Sequence, residues 1–114
     1  MINYNKKTFQ PVSNTANAQT SAATLFHYQQ QGNILSGTYS GGAIKAGQLL
    51  GVVNTDGTLY FFYHQLDKAM QLHSGYCKSV PEILADGRIR LHEEWQWTSG
   101  DNTNGKSIIE EIKQ

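Results

Sequence analysis

From Thr24 onward, hydrophobic and polar positions alternate in short runs, and each run ends at a turn signal. Residues 25–30 lead into Gly32-Asn33, residues 34–40 into Gly41-Gly42, residues 49–54 into Asp56-Gly57, residues 59–66 into the stretch from Asp67 to Met70, and residues 72–84 into Asp86-Gly87. A period of two marks a strand with one buried and one wet face. Asp-Gly or Gly-Asn between such runs marks a hairpin. The clearest run follows Asp86-Gly87: Ile89, Leu91, Glu93, Trp95 and Trp97 point one way, and Arg88, Arg90, His92, Glu94 and Gln96 point the other. A loop over residues 98–105 and a last strand over residues 106–112 close the chain. At the other end, residues 2–10 read as a first strand that Pro11 terminates, since proline supplies no ladder donor. Residues 12–22 are polar and aperiodic, and read as a long surface loop that is either free or folded over one end of the domain.

Eight strands joined mostly by hairpins predict an all-β domain spanning residues 1–114. The expected architecture is a single antiparallel up-and-down meander closing into a barrel of about eight strands, as in lipocalin-like and avidin-like folds, because closure removes the sheet edges. A barrel of that size is filled by side chains or holds one small ligand.

Two-residue turns centred on Gly32-Asn33, Asp56-Gly57, Lys68-Ala69 and Asp86-Gly87 fix which residues oppose one another. They set Tyr39 opposite Phe26, Tyr63 opposite Leu50 and Ser74, Glu93 opposite Val80, and Trp95 opposite Lys78. One continuous inner face follows, carrying Phe26, Tyr28, Leu35, Tyr39, Leu50, Val52, Leu59, Phe61, Tyr63, Leu72, Ser74, Tyr76, Lys78, Val80, Leu84, Ile89, Leu91, Glu93, Trp95 and Trp97. Pro81 is a candidate bulge.

Composition agrees with short strands and tight turns: 11 glycines stand against two prolines in 114 residues. Formal net charge is zero, which removes any general pull toward nucleic acid or a membrane surface. All nine carboxylates lie from Asp56 onward, while the earlier part carries only Lys6, Lys7 and Lys45, too few to track phosphates. The single cysteine, Cys77, forms no internal disulfide and no zinc pair. With no apolar leader visible, a reduced, cytoplasmic setting is the expectation.

The expected inner face is unusual for a plain core. It holds Tyr28, Tyr39, Tyr63, Tyr76, Trp95 and Trp97 with Lys78 and Glu93, and buried aromatics with polar tips want partners. Lys78 and Glu93 would pair diagonally, and a buried pair of this kind often marks a site. Were Ile108 and Ile112 to point inward, Glu110 would approach Glu93 as a second carboxylate for acid–base work. Three readings follow. The first is a small-ligand binder using those eight residues, with Lys78 favouring an anion if Glu93 is engaged elsewhere. The second is an enzyme on a small acid with Glu93 as the catalytic acid or base. The third is a solid barrel working through its outer wall. Tyr60 and Phe62 fall on that wall and would serve a homodimer. His64 and His73 fall there too, opposite each other, but without the further ligands zinc requires, so no metal and no other cofactor is expected. Cys77 is placed on the outer face as an inert residue, and Gly41-Gly42 opens no helix and so makes no phosphate loop.

Several stretches carry a resemblance over nearly the whole chain: Gly37-Thr-Tyr-Ser-Gly-Gly-Ala-Ile-Lys-Ala-Gly, Tyr63-His-Gln, Gly75-Tyr-Cys-Lys-Ser, the run from Asp86 to Asp101, and Ser107-Ile-Ile-Glu-Glu-Ile. Together they resemble a family of small bacterial proteins commonly labelled N-acetylglutamate synthase. That resemblance implies acetyl transfer to glutamate and assigns no catalytic residue. The Gly37-Thr-Tyr-Ser-Gly-Gly stretch also resembles the second-strand region of avidin-like meander barrels, a likeness of fold alone.

Overall fold

The computed structural model describes residues 2–113. Eight strands follow one another: β1 (Lys7–Asn14), β2 (Leu25–Gln31), β3 (Ile34–Gly41), β4 (Ile44–Val53), β5 (Leu59–Asp67), β6 (Leu72–Ile83), β7 (Ile89–Trp97) and β8 (Asn104–Glu111). Each pairs antiparallel with the next, and β1 pairs with β8, so the meander closes into a barrel as the alternation predicts. Pro11 does not end the first strand. It lies inside β1, next to a register shift between Pro11 and Ser13, where the ladder is already irregular and a missing donor is tolerated. No bulge forms at Pro81, since the β6–β7 register runs unbroken from Gly75↔Trp97 to Ile83↔Ile89.

The hairpin loops decide which side chains face inward. Gly32-Asn33 is the expected two-residue turn, with Gln31 opposite Ile34 and Gly32 at φ 62°, the left-handed position a primed turn demands. The hairpins joining β4 to β5, β5 to β6 and β6 to β7 have three-residue loops instead. In the first, Gly57 N–H donates to the Asn54 carbonyl and Asn54 N–H to the Thr58 carbonyl, both at 2.9 Å. The same pattern recurs at Asp67–Gln71 and Leu84–Arg88. Each loop is a type I turn followed by a residue with positive φ: Gly57 at 88°, Met70 at 63° and Gly87 at 89°.

One extra residue in the loop shifts the register by one and turns a strand over. Leu59 therefore pairs with Val53, Tyr63 with Leu49 and Gly75, Glu93 with Ser79, and Trp95 with Cys77. The inner faces of β2, β3, β5 and β7 are those the alternation predicts, while β4 and β6 are reversed. Leu50, Val52, Leu72 and Val80 lie on the outer wall, and Cys77 and Ser79 are buried inside. The two reversals flanking β5 and those flanking β6 cancel, which is why the tryptophan strand still faces the interior.

One end of the barrel is solid. Tyr4 is fully buried and closes that end, its hydroxyl donating to the Gly57 carbonyl at 2.5 Å. Behind it Phe9 and Tyr28 pack with ring centres 4.8 Å apart, over Leu35, Leu59, Leu91 and Ile109. The segment between β1 and β2 folds over the other end; it spans residues 15–24 rather than the expected 12–22, because β1 continues through Asn14. Thr24 anchors it: fully buried, it donates from Oγ1 to the Gly41 carbonyl at 3.0 Å. Gly41, at φ 116°, has no room for a side chain because the Ala23 carbonyl lies where a Cβ would be.

Candidate functional site

Beneath this strap lies a cavity of about 50 Å³. That space holds a few water molecules or a ligand of a few heavy atoms. Aromatic side chains from four strands line it: Phe26, Tyr39, Phe61, Tyr63, Trp95 and Trp97. They touch in sequence around the wall. Phe26 and Tyr39 stack at 4.7 Å between ring centres, Tyr63 meets Trp97 edge-on at 5.6 Å, and Trp97 meets Trp95 at 5.5 Å. Such packing is possible because three of the large rings each have a glycine as a strand partner. Tyr39 pairs with Gly47, Tyr63 with Gly75 and Trp95 with Gly105, and a Cβ on any of these glycines would overlap the facing ring.

Glu93 is the one charged side chain in the cavity lining. It is 8% exposed. Ser79 Oγ donates to Glu93 Oε2 at 3.2 Å, and the Cys77 thiol lies beside Ser79, 3.7 Å from its hydroxyl. Removal from water pushes the Glu93 carboxyl up to about 7, against a smaller downward pull from Ser79 and Cys77. The same burial raises the Cys77 thiol and the phenols of Tyr28, Tyr39 and Tyr63 above their ordinary values.

Several other polar groups near the cavity are paired, whereas the buried Tyr28 hydroxyl is not. Trp95 Nε1 donates to Ser107 Oγ at 2.8 Å, and Tyr39 donates to Gln65 Oε1 at 2.8 Å. Gln65 Nε2 in turn donates to Gln19 Oε1 of the strap at 2.6 Å. Gln19 Nε2 donates to Asp67 Oδ2 at 3.1 Å, and His73 Nε2 bonds the same oxygen at 2.9 Å. Trp97 Nε1 reaches the Asn17 carbonyl at 3.3 Å. Asp67 is held to about 2, chiefly by the Gln71 amide and by His73. The strap is thus tied across the mouth through Gln19, using groups from β5 and β6.

Of the residues singled out in the sequence, Tyr39, Tyr63, Glu93, Trp95 and Trp97 meet at the cavity. Tyr28 is fully buried deeper in the barrel and packs on Phe61. Tyr76 and Lys78 are not interior residues. The reversal of β6 puts both on the outer wall, where Tyr76 stacks on Tyr60 at 6.1 Å and Lys78 Nζ lies 5.9 Å from the Tyr60 ring centre. The expected Lys78–Glu93 pair therefore does not exist, since the barrel wall separates them. Glu110 also faces outward, 2.7 Å from Arg90, because β8 turns Ser107 and Ile109 inward rather than Ile108 and Ile112. Among the described residues Glu93 has no carboxylate partner. His64 pairs with Ser74 rather than His73, and no group of three or more metal-binding side chains exists among the described residues.

The sequence reading missed Gln65, Cys77, Ser79 and Ser107 in the lining. Gln65 continues the Phe61–Tyr63 period by one step and was legible. Cys77 and Ser79 depend on the loop length of their hairpins. Gln19 carries no periodic signal.

The fold and site define a class: a closed eight-stranded meander barrel with one plugged end and one strapped, aromatic-lined end. The avidin-like protein family matches residues 2–112, and the chain belongs to that family. This match overturns the N-acetylglutamate synthase label, for which nothing in the fold or the comparison gives support. No curated protein and no solved structure is significantly similar to the chain.

Proposed function

We propose that the protein is a small-ligand binder that takes its ligand at the strapped end of the barrel, among Tyr39, Tyr63, Glu93, Trp95 and Trp97. The observation that carries this reading is a cavity ringed by aromatic side chains with a single carboxyl in its wall, the form binding sites commonly take. Membership of the avidin-like family supports it, as an aromatic-lined barrel is compatible with holding a small molecule. Ligands larger than the cavity displace Gln19 and lift the strap. A fragment screen read by thermal shift and by tryptophan fluorescence tests the reading. Bound fragments raise the melting temperature, and a fragment in this cavity perturbs Trp95 and Trp97 and loses affinity in Trp97→Leu. A screen without a hit, or hits indifferent to Trp97, would rule it out.

A second reading concerns the outer wall. Leu50 and Phe62 are 63% and 64% exposed, and Val52, Tyr60 and Tyr76 adjoin them across β4, β5 and β6. A contiguous apolar patch of this kind marks an interaction surface. We infer that it serves association of two copies of the chain.

A further inference from the structure

We propose that the cavity selects a compact organic cation, with the Glu93 carboxylate as its counter-ion and the surrounding aromatic side chains as its cage. This rests on the reading of the cavity as a binding site and names the class of ligand it takes.

Three observations lead here. First, Glu93 supplies the one formal charge of the lining, and it is negative. The nearest sequence candidate for an opposing charge, Lys78, stands outside the wall, so an anion entering the cavity would meet no cation and one carboxyl. Second, Glu93 has unused capacity. An ionised carboxylate accepts at about four lone-pair sites, and Ser79 Oγ supplies the hydrogen bond to this one. Gln65, Gln19, Trp95 and Ser107 already satisfy one another in the same region. Third, the walls are aromatic. Rings attract a cation through their quadrupoles, most strongly when water is excluded, and an anion gains nothing from them. A buried carboxyl without a charged partner is costly to ionise, so its ionisation is held back to about pH 7. An alkylammonium ion would restore the charge pair that the chain leaves open.

The groups that face Glu93 from neighbouring elements are Cys77 and Ser79 on β6, Ser107 on β8, Tyr39 on β3, Tyr63 on β5 and Tyr28 on β2, with Asp67 and His73 at the rim. Burial keeps the thiol and the phenols neutral between pH 5.5 and 8, and Asp67 stays ionised over that range. Glu93 is then the interior group whose charge changes, and cation affinity rises with pH through about 7.

Propylammonium, 1-propanol and propionate share a carbon chain and differ in charge, which makes them suitable probes. Titration calorimetry on the intact protein at pH 8 is expected to show propylammonium binding at least ~10-fold more tightly than the other two. The preference should weaken roughly 10-fold or more at pH 5.5, disappear in Glu93→Gln and survive in Lys78→Met. If Glu93→Gln does not fold, the pH dependence measured in His73→Gln carries the test, since that variant lacks the imidazole at the rim. Equal or tighter binding of propionate, or a preference that persists in Glu93→Gln or does not respond to pH, would overturn the inference. If 1-propanol or propionate binds and the ammonium does not, the cavity still takes a ligand and only its cation selectivity is wrong. If none of the three binds and the fragment screen is also empty, both readings fall.

Discussion

Trp95 lies over Gly105. The two are paired across β7 and β8, and a Cβ on the glycine would overlap the six-membered ring of the indole. Trp95 Nε1 is also fixed by Ser107, two residues along the same strand. The indole therefore has little freedom to move aside. Gly105→Ala is expected to cost about 1–3 kcal/mol, the usual penalty for overpacking a filled interior. Urea denaturation followed by tryptophan emission measures this. A cost within about 0.5 kcal/mol would show that the indole gives way.

Glu93 couples stability to pH. Its folded value of about 7 stands above the ordinary carboxylate value of 4.5, so the folded state holds a proton that the unfolded chain has released. Stability is full below about pH 4.5 with respect to this group and is lost as pH rises to 7. The whole loss is about 3 kcal/mol at 1.36 kcal/mol per pH unit. Glu93→Gln keeps the shape without the charge. It should match the unaltered protein near pH 5 and exceed its stability at pH 8, in denaturation curves recorded at both. A variant equally destabilised at both pH values would mean that Glu93 acts by packing alone.

Asp67 holds the strap and the β5–β6 turn together, accepting from Ala69 N, Gln71 N, Gln19 Nε2 and His73 Nε2. Its depressed value has the opposite sign to that of Glu93: its contribution is present above about pH 4 and lost as pH falls toward 2. Gln19→Ala removes one of these contacts together with the Gln65 bond and leaves the turn intact. Amide exchange over residues 15–23 should quicken several-fold in that variant while exchange in β5 and β6 stays unchanged. Unaltered exchange in the strap would show that Thr24 and Asn17 are enough to hold it.

Phe62 projects from the middle of the exposed patch, its ring 6.2 Å from that of Tyr76. Replacing it with serine removes a large exposed apolar surface at no cost to the interior. Sedimentation of the unaltered protein over a concentration series should show association, with Phe62→Ser shifted toward the monomer. A monomer at every concentration would exclude the outer-wall interface.

Strand number, strand order and the inner faces of β2, β3, β5 and β7 were legible in the chain, because alternation and turn residues are local properties. The faces of β4 and β6 were not. Asp-Gly serves a two-residue turn and a three-residue loop equally well, and one residue of difference turns a strand over. In β6 the hydrophobic pattern itself pointed the wrong way, with Leu72, Tyr76 and Val80 outside and Gly75, Cys77 and Ser79 inside. The reason lies across the barrel. Tyr63 and Trp97 meet over β6 from its two neighbours, with Tyr63 lying where a side chain on Gly75 would be, so the inner face of β6 has to be small there. The sequence by itself determined a closed meander with a carboxyl among tryptophans. Only the packing of neighbouring strands decided that Lys78 stays outside and leaves that carboxyl without a charged partner.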